Sequence, residues 1–403
     1  MSKRLITILG ILTLLAYAWP AWTRFSTTPM TSASFSPLPR SELSTNHTPF
    51  MDQDFITPGT GSGIVHVGSI CEMPDGELGA VWYGGTREGA KDVAIFFSKK
   101  PQFSKKPQDF SAPWSPPRII VDRASATREL NRYIRKVGNP ILFRGPGKQL
   151  QMIYVTITVG GWSGSSLNVK TSRDGGLTWT DSRRLTLSPF FNISELVKGR
   201  PLSVNITGED ENRHHFAVPI YHEFLGYFPE ILWISFSPKN QDILYEKSRM
   251  AGGSSFIQPS IVPLNTRSAT AFYRCRSKAG HIAMARTDDG GQNWSSPHFL
   301  DLPNPDSAVD ALPLTKGRIL LAFNDSRNNR ETLQMAVSND RGLNWIRIYT
   351  LENSPDQEFS YPYMIRGQNG LIHLVYTWKR KRIKHVVFNE AWVDHKIEQA
   401  TQR

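Results

Sequence analysis

Three stretches decide the fold. They are Ser172-Arg173-Asp174-Gly175-Gly176-Leu177-Thr178-Trp179, Thr287-Asp288-Asp289-Gly290-Gly291-Gln292-Asn293-Trp294 and Ser338-Asn339-Asp340-Arg341-Gly342-Leu343-Asn344-Trp345. Each reads Ser/Thr-x-Asp-x-Gly-x-x-Trp and each follows a β-rich run. The pattern suits a hairpin tip. The Asp carboxylate accepts backbone N–H groups of its own turn, the Gly supplies a positive φ, and the Trp folds back as an apolar plug. Strands ending in degenerate tips, at residues 95–98, 234–237 and 385–388, fill the gaps. With Ser98, Ser172, Ser237, Thr287, Ser338 and Phe388 as markers, the intervals are 74, 65, 50, 51 and 50 residues. Six units at this spacing predict an all-β chain, a six-bladed β-propeller with about four strands per blade. Residues near 55–65 are expected to supply the strand that closes the last blade on the first.

Composition agrees. The chain has 403 residues, 20% charged and 11% aromatic, which excludes a disordered or coiled-coil chain. Two cysteines exclude a disulfide scaffold and a cysteine-rich zinc site. The net charge of +12 favours an anionic partner: nucleic acid, an acidic glycan or a membrane surface.

The N-terminus narrows that choice. Lys3 and Arg4 precede an apolar run over residues 5–22, which reads as a secretory signal peptide or a single-span membrane anchor. Ala16-Tyr17-Ala18 favours cleavage; the length and the flanking Trp19 and Trp22 favour retention. Residues 23–54 form a linker rich in Ser, Thr and Pro, expected to be extended or disordered. The propeller is expected over residues 55–403. An exported domain, periplasmic or extracellular, argues against nucleic acid as the partner and leaves an acidic glycan.

The hairpin tips resemble the Asp boxes of the sialidase (neuraminidase) superfamily, over residues 61 to about 392. The box marks this kind of blade and not an activity, so Asp174, Asp289 and Asp340 are read as structural. What the resemblance implies is a substrate site at one mouth of the central channel. Three arginines there clamp the substrate carboxylate, a Tyr assisted by a Glu acts as nucleophile, and an Asp on a first-blade loop is the acid/base.

The carry-over is partial. His66 stands where the superfamily has its first clamp arginine. A His could carry charge, hydrogen-bond a carboxylate or act as a base. The loop over residues 84–92 matches the place of the acid/base and offers Asp92 and Glu88, with Arg87 beside them; the register between the two carboxylates stays open. Gln258 replaces the Tyr-assisting Glu and can only orient the phenol. Sixteen residues on, Arg274 is retained as a clamp arginine, with Arg276 read as pointing away from it. Arg330 matches another clamp position, with Arg327 as fallback; planar guanidiniums bind carboxylates bidentately. Asp306 is read either as a ligand for sugar hydroxyls or as a turn residue. Tyr361, in a Ser-Tyr dipeptide at the entry of the sixth blade, matches the nucleophile.

Two other features stand apart. Tyr221-His222-Glu223 ends a third-blade strand and either faces the channel or forms a core pair; no third metal ligand has recognisable spacing, so neither metal nor cofactor is implied. Lys379-Arg380-Lys381-Arg382-Ile383-Lys384 is read as a hairpin arm whose cationic face meets an anionic glycan or water. Cys71 and Cys275 are expected to be unpaired core residues in the first strands of blades one and four.

The resulting expectation is a divergent sialidase-like exo-glycosidase acting on a terminal acidic sugar, either sialic acid or a uronate. One rival uses the same residues for β-elimination of a uronide, with either His66 or Tyr361 as the base and the other as the acid. A second is a non-catalytic glycan-binding propeller. The oligomeric state is open.

Overall fold

The computed structural model describes residues 3–25, 33–36, 48–57, 63–101, 112–188, 192–206, 213–239 and 242–402. Helix α1 spans Lys3–Phe25, and its apolar side chains from Leu5 to Leu15 are about half exposed. Among the described residues no helix is long and apolar enough to cross a membrane, so the tether read from the sequence finds no support there.

Six antiparallel sheets follow, one per blade. Two short strands come first, β1 (Ala33–Phe35) and β2 (Met51–Phe55). Blade one is β3 (Ile64–Glu72), β4 (Leu78–Gly85), β5 (Ala94–Lys100) and β6 (Arg118–Val121). The short helix α2 (Arg123–Glu129) leads to blade two: β7 (Lys136–Arg144), β8 (Leu150–Ile157), β9 (Ser165–Ser172) and β10 (Arg183–Arg184). Blade three has a split inner strand, β11 (Leu196–Val197) and β12 (Leu202–Ile206), then β13 (His214–His222), β14 (Phe228–Phe236) and β15 (Ile243–Arg249). Blade four is β16 (Phe256–Pro263), β17 (Ala269–Cys275), β18 (His281–Thr287) and β19 (His298–Pro303). Blade five is β20 (Asp310–Pro313), β21 (Ile319–Asn324), β22 (Thr332–Ser338) and β23 (Ile346–Asn353). Blade six is β24 (Phe359–Arg366), β25 (Ile372–Trp378) and β26 (Arg382–Phe388), before helix α3 (Glu390–Thr401). Five of the six sequence markers lie at or just past the end of a third strand, and Ser98 lies two residues before the end of one.

The fourth strand of blade six is β2, paired antiparallel to β26 from Met51↔Phe388 to Phe55↔Lys384. Closure therefore comes a few residues earlier than expected, inside the span read as linker. Asp54 fastens it: one carboxylate oxygen accepts from buried Lys100 of blade one at 2.5 Å and the other lies 2.8 Å from His385 of blade six.

The Asp boxes act as staples between blades. Asp174 accepts hydrogen bonds from Ser172 Oγ and Thr178 N, each at 2.8 Å, and Asp289 and Asp340 repeat the arrangement. These bonds hold the Asp174 carboxyl down to about 2. A Cβ on Gly176 would meet the Phe97 ring at 2.5 Å, and one on Gly342 would meet Phe272 at 2.8 Å. Only glycine lets each tip seat on the aromatic ring of the preceding blade. Under the Thr287 box that ring is Phe35, fully buried and near Gly291. The span read as linker thus carries a structural strand too: β1 pairs with β12 and fills the seam between blades three and four.

Cys71 and Cys275 are buried and unpaired. Cys275 ends the second strand of its blade, not the first as read from the sequence.

Candidate active site

The inner strands line the channel, and four of them break register at the same depth. The breaks fall between His66 and Ser69, Gly138 and Ile141, Ile257 and Ser260, and Ser360 and Tyr363. Each break holds one non-glycine residue at positive φ: Val67 (49°), Asn139 (44°), Gln258 (53°) and Tyr361 (56°). Three are followed by proline, which cannot donate to a ladder and so belongs at such bulges. Left-handed backbone at a non-glycine residue is costly and clusters at functional sites. Here it gathers Asn139, Gln258 and Tyr361 into one network with Tyr221.

Arg274 is the hub. Its Nη1 lies 3.4 Å from the Tyr361 hydroxyl and donates to Gln258 Oε1 at 3.2 Å. Gln258 Nε2 donates to the Tyr221 hydroxyl at 3.0 Å, and Asn139 Nδ2 reaches the same oxygen at 3.4 Å. Gln258 thus touches Tyr361 only through Arg274. Asp306, itself at φ 55°, accepts from Arg274 Nε at 2.6 Å and from Arg276 Nη1 at 3.0 Å. Its backbone carbonyl accepts from Arg330 Nη2 at 2.9 Å. Residues two apart on a strand share a face, and Arg276 accordingly joins Arg274 rather than pointing away. Asp306 thus holds Arg274, Arg276 and Arg330 together.

Arg330 lies over the Tyr361 ring, 5.7 Å from its centroid, and pairs with Glu358 at 3.2 Å. The fallback Arg327 turns instead to His281. A third guanidinium arrives from an unexpected place. Arg380, in the β25–β26 turn, pairs with Glu358 at 3.3 Å and also with Glu88. The basic run is therefore not a solvated arm. Arg382 stacks on Phe55 and Lys384 pairs with Glu352. Burial works against ionising Glu358, but a hydrogen bond from Ser360 and the charges of Arg330 and Arg380 keep its carboxyl below the usual range.

His66 sits edge-on to Tyr361, ring centroids 4.7 Å apart. It is buried, and burial with the nearby Arg380 pushes its imidazole down to about 3. It is neutral at ordinary pH. It does not carry the charge of the arginine it replaces. Its Nδ1 has no hydrogen-bond partner among the described residues.

The loop carboxylates divide. Asp92 is exposed and accepts from Thr86 N at 2.9 Å and Thr86 Oγ1 at 3.0 Å, bonds that hold its carboxyl low. A low carboxyl is a poor general acid. Arg87 is exposed on the same loop. Glu88 reaches the site through Arg380. A carboxyl missed as an acid is Glu223, after β13, two residues from Tyr221. Burial raises it, against the pull of Arg276 and Arg274. Its neighbour His222 instead joins Glu195 and Glu230 in a cluster bridged by Lys247, 2.6 Å from Glu195 and 3.1 Å from Glu230. The Pro dipeptides at 139, 258 and 361 were the sequence signal for the bulges; the segments holding Glu223 and Arg380 stood out in the sequence, but nothing local assigned either residue its place beside the arginines.

A Tyr ringed by arginines at bulged inner strands, on six blades stapled by Asp boxes, defines a divergent sialidase-like propeller. The chain belongs to the BNR repeat-like domain family, whose model matches residues 76–374. Solved structures share the fold at low identity. The Hadza microbial sialidase Hz136 is 15% identical with a TM-score of 0.60, over 80% of this chain and 65% of that one. The chain thus spans just under two thirds of that protein. The NanB sialidase from Streptococcus pneumoniae, as its K499G mutant, is 11% identical (TM-score 0.56, 85% and 70% covered). The intramolecular trans-sialidase from Ruminococcus gnavus is 14% identical (TM-score 0.57, 84% and 97% covered). No curated protein matches by sequence.

Proposed function

We propose that the chain is an exported exo-glycosidase acting on a terminal acidic sugar of a glycan. The observation that carries this reading is the Tyr361 hydroxyl, held 3.4 Å from Arg274 under the guanidinium of Arg330. Arg274 and Arg330, with Arg380, supply planar donors for a sugar carboxylate. A neutral phenol approaches an anomeric carbon bearing a carboxylate without the repulsion a Glu or Asp would meet. Arg274 stands where charge develops on the phenol oxygen in the transition state. Gln258 cannot accept a proton, and His66, pushed down to about 3, is a weak base, so the phenol gives up its proton to solvent water under the charge of Arg274. Glu223, raised by burial, protonates the leaving oxygen. Helix α1, with its exposed apolar side chains, directs export.

His66 also supports a second reading. A neutral imidazole with an unpartnered Nδ1, next to a Tyr and guanidiniums, is equipped for β-elimination of a uronide. The arginines would offset the carboxylate charge while one of His66 and Tyr361 took the C5 proton and the other protonated the leaving oxygen.

Product analysis separates the two. The purified chain is incubated with sialosides and with uronate polysaccharides, and products are followed by proton NMR and near-ultraviolet absorbance. A released acidic sugar, free or as an anhydro form, absent with Tyr361→Phe, supports the glycosidase. An unsaturated uronide supports elimination and overturns the first reading. Saturable glycan binding without any product overturns both and leaves a binding propeller.

A further inference from the structure

The channel has two mouths, and a cationic neck lies between them. Lys198, buried in the break between β11 and β12, donates to Val309 O at 2.8 Å and Pro362 O at 2.7 Å. Two residues on, Arg200 makes the next rung, donating to Met364 O at 2.7 Å and Ala311 O at 3.3 Å. Behind this rung lies a cavity of about 350 Å³ to which all six blades contribute. Cys71, which lines it, is on the same strand as His66 and roughly 15 Å deeper.

Three guanidiniums line this cavity, Arg144, Arg200 and Arg366, against one lining carboxylate, Glu72. Glu72 is engaged by the Gln368 backbone N–H at 2.6 Å. Arg200 is fixed by the two carbonyls of its rung. Arg366 is fixed by Glu390, Pro313 O and Gly370 O, yet its buried Nε has no partner among the described residues. Most of the remaining wall is apolar, including Leu142, Phe143, Leu202 and Leu312, with Ser36, Ser203 and Gln368 among it. Arg200 and Arg366, pinned by backbone carbonyls, need no ordering to receive an anion, whereas Arg144 is exposed and orders on binding. An apolar wall with a few converging polar groups is the usual make-up of a small-molecule site, and the volume fits one ring.

We propose that this rear cavity is a second binding site, separate from the Tyr361 mouth, for a small organic anion: a carboxylate or sulfonate on an aromatic or branched apolar body. The head group meets Arg144 and Arg366, and the body lies on the leucine and Phe143 wall. This site is independent of the glycosidase reading, because it shares no lining residue with the Tyr361 mouth.

The test is a fluorescence titration of the full chain with anilinonaphthalene sulfonate, an aryl sulfonate that brightens in apolar sites. The expected result is a saturable one-site enhancement, competed by benzoate. Arg144→Ala removes an exposed guanidinium and should weaken binding about tenfold, the loss of one charge-assisted contact. Ser203→Trp, at the rim, should abolish it with an unchanged circular dichroism spectrum. Arg330→Ala, at the other mouth, should leave it unchanged. No saturable signal, equal binding in wild type and Arg144→Ala, or a loss that follows Arg330→Ala would each overturn the proposal.

Discussion

The Tyr361 hydroxyl and Arg274 Nη1 lie 3.4 Å apart, although the two residues come from blades six and four. Each sits where it does because of an inner-strand bulge: Tyr361 occupies one, and Gln258, which accepts from Arg274, occupies another. Replacing Tyr361 with Phe keeps the ring, and its contacts with His66 and Arg330, while removing the oxygen. Turnover should fall by roughly 10²–10⁴-fold, with affinity for an acidic sugar changed by less than about threefold. Single-turnover kinetics beside calorimetric binding checks both halves. Equal losses in each would show that Tyr361 is a binding aromatic only.

Arg380 bridges Glu88 and Glu358 across the seam where the propeller closes. Arg380→Ala should raise KM by roughly 10–100-fold, and Arg380→Lys should restore part of it, since an ammonium keeps the charge but not the planar fork. Arg327→Ala, directed at His281, should leave KM unchanged. Steady-state kinetics on the three variants decides whether the third guanidinium comes from this turn.

Acid should weaken the fold through buried imidazoles. His66 is pushed down to about 3 and His373 well below its ordinary range, both first by burial. Between their folded values and the unfolded value near 6.5, the unfolded chain binds more protons. Stability is therefore full above about pH 6.5 and falls as pH drops below it, by up to about 1.4 kcal/mol per pH unit for each group. Thermal midpoints from pH 8 to pH 4 should decline, and less steeply in His66→Asn. An identical slope in that variant would remove His66 from the account.

Closure of the ring hangs on Asp54. Lys100 is 1% exposed in its side chain and its partner oxygen is 2.5 Å away. Asp54→Ala leaves that ammonium buried without its carboxylate. The cost should be about 3 kcal/mol, the low end for a broken buried pair because Asp54 is a third exposed. Lys100→Met, which removes the charge itself, should cost less. Urea denaturation of both variants ranks them; a reversed order would refute the clasp.

The seating of the Asp boxes is equally open to trial. Gly342 is at φ 95° and a Cβ there meets the Phe272 ring at 2.8 Å. Gly342→Ala should destabilise by about 2 kcal/mol from backbone strain and overpacking together. Phe272→Leu should relieve part of this, a coupling that a double-mutant cycle detects.

Six blades, their Asp-box staples and the candidates Tyr361, Arg274, Arg330, Gln258 and His66 were legible in the sequence. The blades and staples depend on local chemistry, a turn that needs Asp and Gly two positions apart; the candidates were placed by the resemblance to the sialidase superfamily. The linker reading failed at Phe35 and Asp54 for a related reason. Three or five residues in a Ser/Thr-rich context show no period, and they become strands only because a blade edge offers them a ladder and a seam offers Phe35 a pocket.

Tertiary structure alone decided the electrostatics of the site. A basic run reads the same whether it is solvated or, like Arg380, folded between two carboxylates. Asp92 and Glu223 are both carboxylates beside a glycine- or aromatic-rich loop; which is held low by Thr86 and which is raised by burial depends on neighbours far away in the chain. His66 is neutral because of what surrounds it. Local sequence sets which turns and strands can form, whereas charge state and pairing are sums over all neighbours in space, and those neighbours exist only once the six blades have closed.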